Sequence, residues 1–159
     1  MKNYQSLIVL ILASTLWIGF VSSISFMEAR LKFSAPGVSL AIGVGIGRVV
    51  FHALNSVEWF LAISILASIL LASKPRLSFL LFILPFGVLL VQTYWLLPEL
   101  DLRAEQLLRM QDLAPSSLHL YYIGLELIKV FSLACTTLYL FKPLRDEFRK
   151  RDSTICVEP

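Results

Sequence analysis

The sequence predicts an all-α integral membrane protein: a four-helix bundle with a short amphipathic interfacial helix between the third and fourth spans. Three observations predict it. Of the 159 residues, 57% are hydrophobic and 16% charged, where soluble domains carry about 25% charged residues. Four apolar stretches, at about 6–27, 48–72, 77–97 and 117–141, approach or exceed the ~20 helical residues that cross roughly 30 Å of hydrocarbon. The polar residues left between them make short connections and one tail, too few for a second core. The expected organisation is a membrane domain over 1–145 and a polar cytoplasmic tail over 146–159.

The first span follows Lys2. It is longer than the apolar run of a secretory leader, and Val21-Ser22-Ser23 is a weak cleavage site, so the span is expected to be retained. Segment 33–47 reads as a connection and helix start. Pro36 and Gly37 mark a turn there. Gly43 and Gly47 form a small-x-x-x-small pair that lets helices approach closely. Lys74-Pro75-Arg76 ends the second span. The third contains Pro85, which a membrane helix tolerates, and ends near Tyr94 and Trp95, residues suited to the membrane–water interface.

Residues 98–114 make the longest polar connection. Leu100, Ala104, Leu107, Leu108 and Gln111 fall near one helical face, opposite Asp101, Glu105, Arg109 and Asp112. That pattern predicts an amphipathic helix on the membrane surface or capping the bundle end. Pro115-Ser116-Ser117 starts the fourth span.

The net charge of +3 is concentrated in the tail, in Lys142, Arg145, Arg149, Lys150 and Arg151. A basic run directly after an apolar span marks the cytoplasmic side of a membrane rather than a nucleic-acid surface. With the N-terminus inside, Lys2, Lys74, Arg76 and the tail cations are cytoplasmic. Only Arg30, Lys32, Arg103 and Arg109 are outside, with Arg48 at the boundary. Both termini are therefore expected in the cytoplasm. The expected partners are the bilayer and either another membrane protein or a second copy of the chain. Cys135 lies in a span and Cys156 in the tail, which argues against a disulfide framework or zinc site. The Glu158-Pro159 ending does not fit prenylation of Cys156.

Ionisable groups inside a bilayer cost several kcal/mol unless paired or hydrated, which makes them functional candidates. In the second span Arg48, His52 and Asn55 share a face at i, i+4, i+7 spacing, with Glu58 one step around it. In the fourth, His119 and Glu126 share a face, and Lys129 stands three residues beyond Glu126. Glu28 closes the first span, and Gln92 lies in the third. All are expected in the outer-leaflet half of the bundle, leaving the opposite half almost purely apolar. Four readings compete. The groups form a structural polar core that fixes helix register. Or they line an outward-facing site for a small molecule or protons, with His52 and His119 as carriers, Glu58 and Glu126 as acceptors and Lys129 as counter-ion. Or they form a redox centre, in which His52 and His119 ligate haem, or a metal together with Glu28, Glu58 and Glu126. Or they meet a partner, as in an accessory subunit.

No nucleophile elbow, phosphate-binding loop or metalloprotease motif is present, which leans the reading away from an enzyme. Gly43-x-Gly45-x-Gly47 has no strand before it and is not a dinucleotide fingerprint. Trp17-Ile18-Gly19, the Phe26…Phe33…Ala35-Pro36 stretch, Gly45-x-Gly47 followed by Phe51, and His119 are features of another kind. In this order they resemble a family of small four-span membrane proteins catalogued as a domain of unknown function (number 4149). That resemblance covers most of the chain. It implies a four-helix membrane fold and no established activity.

Overall fold

The structure, a computed structural model, describes residues 2–71, 76–109 and 117–155. These residues are almost wholly helical and contain no strand. Four helical rods, Gln5–Ser34, Leu40–Leu71, Phe79–Leu108 and Leu118–Lys142, are long and apolar enough to cross a membrane. At about 1.5 Å per residue they are roughly 38–48 Å long, so each exceeds a hydrocarbon core of about 30 Å. The Lys74-Pro75 turn, Gln111, Asp112, the Pro115-Ser116 helix start and Cys156 lie outside the described residues.

Helix α1 (Lys2–Val21) continues through a π-helical segment, Ser22–Glu28, and a last turn at Ala29–Leu31. Gly37, with φ of 83°, turns the chain, a conformation glycine adopts without the steric cost of a Cβ. Helix α2 (Leu40–Leu71) starts at Leu40, so Gly43, Gly45 and Gly47 lie within it rather than in a connection. Helix α3 (Arg76–Val91) runs through Pro85 into a second π segment, Gln92–Leu96. Helix α4 (Leu97–Leu108) follows directly, and α5 (Leu118–Ile155) completes the bundle. Helix α1 packs on α2 and α5, α5 on α3, and α3 on α2, which closes a ring of four.

The inward faces explain that ring. Buried residues recur every three or four positions: Leu10, Ala13, Trp17 and Val21 on α1; Leu54, Glu58, Leu61 and Ile65 on α2; Phe82, Pro85, Leu89 and Gln92 on the third rod; Tyr122, Glu126, Lys129, Leu133 and Leu140 on α5. This is the stripe that aligned helices bury against one another. The outward faces remain apolar, with Leu12, Phe60, Leu70, Leu80, Phe131 and Leu138 all exposed. An apolar exterior suits a hydrocarbon solvent rather than water.

Two expectations need correction. The amphipathic segment is not a separate surface helix. It is the continuation of the third rod, with Pro98 in the first turn of α4, where proline's missing N–H is tolerated. Proline removes a bond to the preceding turn and crowds it. That turn is the π segment, in which the Leu97 N–H reaches five residues back to the Gln92 carbonyl. Asp101 also does not face away from the bundle. It shares the inward side of α4 with Leu97 and Ala104, and its side chain is 20% exposed.

Candidate functional site

The polar residues gather in two tiers separated along the bundle. Ten residues part Arg48 from Glu58 on α2, or about 15 Å of rise. The deeper tier is built around Lys129. Its ammonium donates to Glu58 Oε1 and, at 2.5 Å, to Gln92 Oε1. It also stands 3.1 Å from Glu126 Oε2, one helical turn away on α5. From α1, the Trp17 indole N–H donates to the same Glu58 oxygen at 2.7 Å. Each of the four rods thus sends a polar group to one layer. Lys129, Glu58, Glu126, Gln92 and Trp17 are all at most 1% exposed.

That layer is electrostatically incomplete. One ammonium faces two carboxylates. Neither Glu126 oxygen completes a hydrogen bond, and Gln92 Nε2 has no partner either. Buried polar atoms are nearly always satisfied, and a native exception calls for a chemical reason. Tyr122, one turn before Glu126 on α5, lies close to both Glu126 and Ser25. Ser25 belongs to the first π segment and is buried. It also lines a cavity of about 240 Å³ with Phe26, Ala29, Arg30, His119 and Ile123. A run of hydroxyl-bearing side chains therefore leads from this cavity to Glu126.

Toward the other end of the bundle the buried polar side chains among the described residues are uncharged hydroxyls: Ser6, Ser14, Ser68, Thr136 and Thr137. Thr15, Ser64, Ser68, Thr136 and Thr137 each donate back to the carbonyl four residues earlier. Each spends its one donor within its own helix and keeps only its lone pairs for a neighbour. A cavity between Leu10, Ile65, Phe82, Pro85 and Leu133 measures about 10 Å³, at the threshold for one water.

The outer tier holds the remaining candidates. Arg48 stands 3.3 Å from Asp101 Oδ1, and His52 Nε2 is 2.5 Å from Asp101 Oδ2, so both tie α2 to α4. Asn55 donates to Thr93 Oγ1 at 2.8 Å, where the Trp59 indole also donates at 3.1 Å. The stripe Arg48, His52, Asn55 therefore faces the third rod. Glu58, a step around the helix, faces the centre. Glu28 contacts Lys32 at 3.4 Å, and its other oxygen, Oε1, is buried without a partner.

The two histidines lie at the bundle end, in different settings. His52 is exposed and bonded to Asp101, and His119 is exposed on a cavity wall. Among the described residues no three His, Cys, Asp or Glu side chains converge on a point where a metal could bind. The reading of a metal held by histidines together with Glu28, Glu58 and Glu126 therefore has no geometric support from these residues. Sequence reasoning gave Trp17, Tyr122, Ser25 and Asp101 no part in the site. Only Trp17 carried a signal, since a buried indole N–H needs an acceptor. No protein-family model, curated protein or solved structure matches the chain. The resemblance to the four-span family therefore adds nothing to the site.

Proposed function

We propose that the chain is a multi-pass membrane protein with a proton-binding site in the middle of its bundle. The Glu58–Lys129–Glu126 group is that site. The observation that carries this reading is Glu126: fully buried, with Oε2 3.1 Å from an ammonium that Glu58 and Gln92 already engage, and with no hydrogen bond completed at either oxygen. Two carboxylates against one ammonium leave an uncompensated negative charge, and a buried uncompensated charge is severely penalised. A proton shared by the pair removes it, and such coupled groups take up and release protons as a unit.

Tyr122 and Ser25 offer a path for exchange with the cavity beside His119. On the other side Ser14 and Thr136 line a cavity of only about 10 Å³, against about 240 Å³ beside His119, so exchange is assigned to the His119 end. The lysine and arginine distribution orients that end outward and both termini toward the cytoplasm. The test is acid–base titration of the purified chain in lipid nanodiscs. Glu126→Gln is expected to bind one proton fewer than wild type over the same pH range. Identical uptake by the two proteins rules the site out.

A second reading has its own support. Four rods meet in one polar layer, and buried polar groups of this kind fix register in some bundles. On that reading the layer is a lock with no proton traffic, and Glu126→Gln leaves proton uptake unchanged.

A further inference from the structure

A second cavity, of about 340 Å³, lies at the bundle end that carries the Gly37 turn. It opens between the last turns of the first rod, the first half of α2, α4 and the start of α5. Its volume is at the lower end of the range for small-molecule pockets, about 300–1,000 Å³. Its walls are mainly apolar, including Phe33, Val44, Phe51, Leu100 and Leu107, and its charged members are Lys32, Arg48, Arg103 and a single anion, Asp101. Asp101 is committed to Arg48 and His52.

Lys32 sets the chemistry. Its side chain is only 9% exposed, and its one carboxylate partner, Glu28, is at 3.4 Å. An ammonium has three donors. Among the described residues the other two have no hydrogen-bond acceptor. The ammonium is held over the Phe51 and Phe33 rings, at 5.4 and 5.6 Å from their centroids. Two glycines make the space for this. A Cβ on Gly47 would stand 2.6 Å from Lys32 Nζ, and one on Gly43 would overlap the Phe33 ring. The small-x-x-x-small pair therefore seats the Lys32 and Phe33 side chains from the last turn of the first rod.

We propose that this cavity binds a single-chain amphiphile with an anionic head, a carboxylate or a phosphate. The head sits on Lys32, with Arg48 and Arg103 beside it, and the chain lies along the phenylalanine and leucine walls. Lys32 supplies both the charge complementarity and the specific contact, through a near-buried ammonium with spare donors. This cavity shares Ala29 and His119 with the smaller one, but the head-group contacts use no residue of the Glu58–Lys129–Glu126 layer, so either reading can fail without the other.

The test titrates the full chain, in nanodiscs of zwitterionic lipid, with oleate, lysophosphatidate and lysophosphatidylcholine, reading bound ligand by native mass spectrometry. Oleate or lysophosphatidate is expected to bind at least about tenfold more tightly than the zwitterionic lysolipid. Lys32→Gln is expected to reduce anionic binding about tenfold, as loss of one charge-assisted hydrogen bond does. Val44→Trp, which fills the cavity and leaves every charge in place, is expected to abolish it, and this variant decides if Lys32→Gln does not fold. Tight binding of oleate alone assigns a free fatty acid. Tight binding of lysophosphatidate alone assigns a phosphate head, and of both the shared anionic amphiphile. Equal affinity for all three ligands, no binding of either anion, or anionic binding that survives both substitutions overturns the proposal.

Discussion

The two polar tiers use the same chemistry in opposite settings. In the outer tier Arg48 makes an ion pair with Asp101 and His52 hydrogen-bonds the same carboxylate, but Arg48 and His52 are 39% and 51% exposed. Solvent screens such pairs, and pairs of this kind contribute little. In the deep tier Lys129, Glu58 and Glu126 are at most 1% exposed, so every charge there must be balanced locally. Distance alone does not distinguish the tiers. Burial does, and it makes the outer tier a fastening and the deep tier a charge-balance problem that a proton can solve.

The sharpest way to break this comparison is to remove Lys129. Lys129→Met leaves two buried carboxylates without their cation, and about 3–5 kcal/mol of stability should be lost. Unfolding in mixed micelles, followed by circular dichroism, reads it. Replacing Glu58, Glu126 and Lys129 together with leucine should recover most of that loss, because a buried ionic group exchanged for apolar side chains is often neutral. If Lys129→Met is as stable as wild type, the deep tier is not electrostatically strained. Next in size, Trp17→Phe keeps an aromatic ring but deletes the donor to Glu58 and shrinks a fully buried side chain. The expected cost is about 1–3 kcal/mol in the same assay. Smallest is Asp101→Asn, at roughly 0.2–1 kcal/mol. Raising ionic strength should shrink the Asp101→Asn effect and leave the Lys129→Met effect unchanged, which separates the tiers without reference to their absolute size.

The four apolar rods were legible because each is dominated by hydropathy, which sequence alone carries. Much of the polar detail was legible only in part. The i, i+3 spacing of Glu126 and Lys129 places them together on any helix, and the structure keeps them together. The Arg48, His52, Asn55 stripe is equally regular. Which neighbour it faces is tertiary information, and the third rod supplies Asp101 and Thr93 there. Asp101 itself was misplaced because α4 was read as an independent helix. Pro98 in a first turn, after a π segment, lets the rod continue, and continuity fixes which face turns inward. The Ser22–Glu28 π segment has no proline within it and left no signal in the composition, yet it carries the buried Ser25 beside Tyr122. The glycines pointed to close approach, and they deliver it to the Lys32 and Phe33 side chains.

Infrared difference spectroscopy bears most directly on the buried proton. Spectra of the chain in nanodiscs, taken across a pH step, should contain a protonated-carboxyl C=O band that shifts in D₂O and is lost in Glu126→Gln. The Asp101→Asn variant should retain it. A wild-type spectrum with no such band, or a band that survives Glu126→Gln unchanged, contradicts the account and leaves the polar layer as a register lock alone.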